Sequence, residues 1–241
     1  MNGSTLFMNP DEPNFVWNNY NAARDMCCII ESEIQEVSPN MRYEVSEIVG
    51  RSGELHESFG DYEAYDLPIK DITIPYNKLH DVKKWLHGWG RLITHNDLDK
   101  YRECICMMSK PIDFQNEWGV FYTFDIVFRC QPFRRKVNET PIPLVSGSNF
   151  FHDPGQEKSN PYLEITSKGG TIELQIADKK LTVLNTLPGL VTVDNEKGKV
   201  MQAGVPLFTK GDWLENNSEQ SSISIKGNFS DAKLFVRSVW L

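Results

Sequence analysis

Apolar positions along this chain recur mostly at every second residue, the period of a half-buried strand, and at helical spacing in one stretch. The clearest strand runs from Val120 to Cys130, where Val120, Tyr122, Phe124, Ile126, Phe128 and Cys130 share one face. Its other face mixes Phe121, Thr123, Asp125, Val127 and Arg129, so partial cover is expected there too. Gln131-Pro132-Phe133 is expected to end it. A second strand is expected from Leu67 to Tyr76, with Ile72, Ile74 and Tyr76 on one face and Asp71 and Thr73 on the other. Pro68 and Pro75 place it at a sheet edge or at strand ends. Shorter strands are expected at 26–30, 43–49, 91–94 and 101–108, with turns at 50–53 and 95–99. The first 20 residues, rich in Asn and Pro around Phe15, Val16 and Trp17, read as an arm or a short strand with loose flanks.

The helical stretch is Asn77 to His87. Leu79, Val82 and Leu86 form its apolar stripe, Trp85 lies near the stripe's edge, and Lys83 and Lys84 point away. Asn77 is a candidate N-cap and Gly88 a candidate C-cap. Residues 138–161 carry prolines, serines and little periodicity, and read as a linker zone. From Pro161 onward short strands follow at close spacing. Ile172, Leu174 and Ile176 alternate with polar residues, 190–193 and 199–201 flank a five-residue loop, and 222–226 and 233–240 flank Gly227-Asn228. This pattern predicts a β-sandwich of about 100 residues.

Charge adds a boundary to this picture. The chain has 241 residues and a formal net charge of -8. Residues 1–140 hold 15 Lys and Arg against 22 Asp and Glu, whereas residues 141–241 hold 10 against 11. Two domains, 1–140 and 141–241, are therefore expected, the first acidic and the second near neutral. The acidity argues against binding nucleic acid by phosphate neutralisation. No apolar run approaches a membrane span, and the start lacks the basic and apolar regions of a signal peptide. Cys27, Cys28, Cys104, Cys106 and Cys130 then read as reduced thiols, without the paired spacing of a zinc site.

Candidate chemistry is sparse. The sequence has no nucleophile elbow, phosphate-binding loop, dinucleotide fingerprint or zinc-protease helix. His80 and His87 could face one way, but two histidines make a poor metal site. Glu117 with Asp125, or Asp153 with Glu157, could be drawn up as carboxylate pairs, yet nothing in their spacing selects them. Tyr162, Trp213, Phe229 and Trp240 read as core more than as a sugar-stacking platform. No catalytic, cofactor-binding or metal-binding residue is expected, and no cofactor.

The order of several short segments carries a resemblance. Arg42-Tyr43-Glu44 is followed by Val49-Gly50-Arg51-Ser52-Gly53-Glu54-Leu55, Gly60-Asp61-Tyr62-Glu63 and Tyr65-Asp66. After the helix come Trp85-Leu86-His87-Gly88-Trp89-Gly90-Arg91, Asp99-Lys100-Tyr101-Arg102 and Phe128-Arg129-Cys130-Gln131-Pro132-Phe133. In this order they resemble the distal tail proteins of long-tailed (siphovirus) phages of Gram-positive bacteria. Pro161-Tyr162-Leu163-Glu164-Ile165 and Ile172-Glu173-Leu174 resemble that family's galectin-like second domain. The first 20 residues and the stretch before Pro161 depart from the family pattern.

The resemblance implies a mainly β protein: a β-sandwich-like ring domain with one α-helix over 1–140, then a galectin-like sandwich over 141–241. It implies a structural virion protein made in the host cytoplasm and placed at the tail tip, and not an enzyme. Its expected state is a homo-hexameric ring with a channel through which DNA passes. Its expected partners are the tail tube protein, a hub or lysin protein of the tail tip, and receptor-binding proteins, with no membrane anchor. Two other classes fit the residues, a carbohydrate-binding adhesion module and a tail-tip hydrolase.

Overall fold

The computed structural model describes residues 8–107 and 110–241. The protein is mainly β and divides into two compact units, the first running to Val137 and the second spanning Asn138–Trp240.

The first unit opens with β1 (Phe15–Trp17), β2 (Tyr20–Asn21), α1 (Ala22–Met26) and β3 (Ile29–Ile30). β4 (Met41–Glu47), β5 (Glu54–Tyr62) and β6 (Tyr65–Pro75) follow, then a 3₁₀ turn at Tyr76–Lys78 and α2 (Leu79–Trp85). β7 (Gly88–Thr94), β8 (Lys100–Cys106), β9 (Gln115–Glu117) and β10 (Phe121–Lys136) complete it. An antiparallel sheet runs in the order β2-β1-β7-β8-β10-β6-β3, with β9 folded back on β10. β4 and β5 form a separate two-stranded sheet.

β1 is no loose arm. Phe15 and Trp17 are at the centre of the core, where Phe15 stacks on Trp85 at 5.4 Å and Trp17 meets Phe128 at 4.9 Å. The indole of Trp85, expected at the stripe's edge, is buried and donates to the Trp17 carbonyl at 2.9 Å, tying α2 to β1. Each large apolar side chain buried here contributes roughly 1.5–3 kcal/mol. The helix is shorter than the periodicity implies. Asn77 falls inside the 3₁₀ turn that follows Pro75, and no side chain caps either helical segment's start. The strand expected at 26–30 reduces to β3. The Asn21 side chain caps α1 by accepting from the Arg24 amide at 3.0 Å, and Cys27 closes that helix in the left-handed region.

In β6, Leu67 and Ile69 share the core with Ile72 and Ile74, which strict alternation forbids. The register supplies the reason: Phe124 faces Ile72 and Ile126 faces Ile69, so β6 carries one extra residue, and Asp71 there has φ of 54°. This bulge rephases the strand and keeps both apolar pairs inside. β10 does not stop at Pro132. After a register shift past Cys130 it pairs Arg134 to Lys136 with β8. Met108, the expected end of β8, lies outside the described residues.

The stretch 138–161 is no plain linker. It contributes β11 (Ile142–Pro143) and β12 (Gly147–His152) to the second unit. Next come the long hairpin of β13 (Tyr162–Ile176) and β14 (Lys179–Asp194), then β15 (Lys199–Gln202), β16 (Val205–Pro206), β17 (Thr209–Gly211), β18 (Gln220–Lys226) and β19 (Phe229–Phe235). β13 and β14 each serve two layers. The first half of β13 pairs with β19, and its second half, past Gly169-Gly170, pairs with β18. β14 likewise pairs with β17 near its start and with β15 near its end. One buried cluster joins Leu163, Ile165 and Val193 with Leu174, Ile176 and Ile225, as expected of a sandwich. Gly227-Asn228 is accordingly a crossing between the layers. A Cβ on Gly227 would meet the Thr171 carbonyl at 2.7 Å, so glycine is required there.

Candidate assembly surfaces

The β4–β5 hairpin is the least covered element of the first unit. Its root is fixed. The Arg42 guanidinium pairs with Asp61 at 2.9 Å, Tyr62 packs edge-on against Phe133 at 5.5 Å, and the Glu63 amide donates to Asn40 at 2.8 Å. Beyond the root the strands carry Tyr43, Val45 and Phe59 into solvent, and the turn adds Ile48 and Val49, with Phe59 at 75% of full exposure. The register puts Tyr43 and Val45 on one face with Ser58 and His56 across from them. It also sets Glu44 opposite Glu57 and Glu47 opposite Glu54. Like charges facing each other across strands destabilise a hairpin, and a two-stranded hairpin alone in water is marginal. Such an element calls for a partner surface.

A second apolar tip lies at the β9–β10 turn. Trp118 and Gly119 both have positive φ there, giving a tight hairpin turn, and Trp118 is 95% exposed. Val120 is exposed beside it, and the nearby Tyr76 stacks on Tyr122 at 5.4 Å.

The acidic loops divide into two kinds. Glu54 and Glu57 lie exposed on β5, and Glu63 is exposed just past its end. Asp97 is instead consumed internally, accepting from Arg134 at 2.7 Å and Lys100 at 3.0 Å, and Asp99 accepts from the same lysine. A neighbouring polar clasp holds the segment before β4. Arg102, fully buried, donates to Tyr65 and Thr94 at 3.0 Å and to Glu36 at 2.7 Å. Burial opposes its charge, and Tyr65 with Glu36 more than offsets this. Burial likewise pushes the Tyr65 hydroxyl up to about 12. His95 meets Glu33 at 2.9 Å in the same clasp.

The sequence-level candidates for chemistry occupy structural posts. Asp125 accepts the Asp71 amide at the β6 bulge at 2.9 Å. Asp153 is buried and accepts from Ser159 at 2.6 Å, Asn216 at 2.9 Å and the Gly155 amide at 3.0 Å, while Glu157 bridges to Val239. His80 and His87 are exposed, on α2 and just past its end. Among the described residues no group of three His, Cys, Asp or Glu is placed to hold a metal, and no helix is long and apolar enough to cross a membrane. Trp213 and Phe229 pack against the second unit's core, and the Arg237 guanidinium sits 4.7 Å over the Tyr162 ring. The exposed aromatics of that unit are Phe150 and Phe208. Sequence reasoning missed both, because Phe150 is masked by the buried Phe151 beside it and Phe208 lies in a short irregular stretch.

The sequence matches no protein-family model and no curated protein. Among solved structures the chain is similar to SPP1 Dit (gp 19.1), described as a paradigm of the hub adsorption apparatus in phages that infect Gram-positive bacteria. The TM-score is 0.72 at 13% identity, covering 95% of this chain and 99% of that one. The resemblance to distal tail proteins drawn from short segments therefore holds at the level of the fold.

Proposed function

We propose that this chain is a structural component of a phage tail hub, a distal tail protein that closes into a homo-hexameric ring at the tail tip. The observation that carries the reading is the likeness to SPP1 Dit across both units rather than one. The apolar hairpin β4–β5 supports it, because head-to-tail association around a closed rotation would cover that hairpin in every copy. In this reading the first unit builds the ring, and the second unit is galectin-like. The ring contacts the tail tube protein on one side and a hub or lysin protein on the other, with receptor-binding proteins nearby. The chain acts without catalysis, after synthesis in the host cytoplasm.

The hairpin's acidic side chains suit a wall facing DNA. Duplex DNA carries one negative charge per ~1.7 Å of axis, so a basic channel would hold it by counterion release while an acidic one lets it slide. Glu44 and Glu57, on the hairpin face opposite Tyr43 and Val45, are the candidates for that wall. Light scattering and negative-stain images of the purified chain and of assembled tails test the reading. Six copies in a ring are expected, at least in tails; single copies in both would overturn it. A glycan array probed with the full chain is expected to be blank, and binding lost on Phe208→Ala would favour an adhesion module.

A further inference from the structure

Two cysteines in the first unit are placed for a bond with each other. The register of β8 and β10 sets Cys104 directly opposite Cys130. Residues opposed in an antiparallel ladder have Cα atoms about 4.5 or 5.5 Å apart, both inside the span a disulfide bridges. The two sulfurs approach to 2.9 Å, and both side chains are 0% exposed. No other cysteine shares this relation. Cys106 faces Phe128 across the same strands, Cys28 is buried among other partners, and Cys27 is exposed at the end of α1.

We infer that Cys104 and Cys130 are a latent cross-strand disulfide, open in a reducing medium and closed by a small disulfide oxidant such as oxidised glutathione. In the exchange one protein thiolate attacks a glutathione sulfur, forming a mixed disulfide and releasing one glutathione thiolate. The second protein thiolate then attacks the protein sulfur of that mixed disulfide and releases the other glutathione. Two protein thiols and one oxidised glutathione become one protein disulfide and two reduced glutathiones, which take up both protons. A glutathionyl group does not fit where both thiols are fully covered, so closure proceeds while the two strands are apart. Burial also pushes the Cys104 thiol well above its ordinary range, which keeps Cys104 protonated in the folded chain.

The test uses the full chain carrying Cys27→Ser, which removes the exposed thiol. It is unfolded under reduction and refolded in oxidised-rich or fully reduced glutathione. The chain is then unfolded in denaturant containing the alkylating agent, so that buried free thiols react, and peptides are mapped without reduction. The expected result is a native-like fold in both arms, with Cys104 joined to Cys130 and two alkylatable thiols lost only in the oxidised arm. Adding Cys130→Ala should leave Cys104 alkylatable. Should that variant not fold, the peptide map of the Cys27→Ser chain decides alone. All thiols remaining free in the folded oxidised arm, Cys104 joined to a different cysteine, or folding in the reduced arm only would each overturn the inference.

Discussion

Two hairpins of this molecule have the same local grammar and opposite surroundings. In β13–β14 each strand has a further neighbour, β18 or β19 along one and β15 or β17 along the other. Its side chains form a buried row and a half-covered to exposed row, with Leu187 and Leu190 of β14 in solvent. In β4–β5 the strands have only each other, and apolar and acidic side chains alike stand in solvent. The first hairpin accounts for its own stability. The second carries apolar surface and facing carboxylates that the folded single chain does not use. A strand pattern thus says that residues will pair, and only the register of a third strand says whether the pair is core or interface.

The largest expected contrast is in stability. Leu174→Ala removes a fully buried side chain from β13 and should cost about 2–5 kcal/mol, read as a lower urea midpoint for the second unit's unfolding. Asp194, at the far end of β14, should give a smaller effect tied to pH. Burial raises its pKa, but the hydrogen bonds from Arg237 at 2.9 Å and from the Lys197 amide at 3.1 Å, with the charges of both residues, together outweigh this and hold the carboxyl below its ordinary range. A carboxyl depressed in the folded state stabilises above its unfolded value, and that share is lost as pH falls through the folded value. Urea midpoints measured from neutral pH down through the carboxylate range should therefore fall less steeply in Arg237→Met than in the parent chain. The smallest stability effect belongs to the exposed hairpin. Val45→Asp with Phe59→Asp should leave the chain's own unfolding within about 0.5 kcal/mol while abolishing assembly, as light scattering would read.

Much of the sandwich was legible because burial there follows the two-residue period. Ile172, Leu174 and Ile176 point inward as their spacing says. The first unit was legible where long apolar alternation survives, as in Phe124, Ile126 and Phe128. It was obscured where geometry interrupts the period. The bulge at Asp71 shifts β6 by one residue, and the short β1 gives only three positions of signal although Phe15 and Trp17 are central to the core. The turn at 50–53 was visible, but β5 was not, because Glu54 to Tyr62 has no apolar row to betray it. A surface that meets a partner need not alternate, and so the candidate interface was the least readable part of the chain. Asp97 illustrates the converse, since a residue of the turn expected at 95–99 is locked between Arg134 and Lys100.

The most direct test of the account is a three-dimensional reconstruction of phage tail tips that contain this chain. Six copies in a closed ring are expected, with Tyr43, Val45 and Phe59 of each hairpin covered by the next copy. A tip in which those side chains face open solvent, or in which the chain occurs as a single copy, would contradict it.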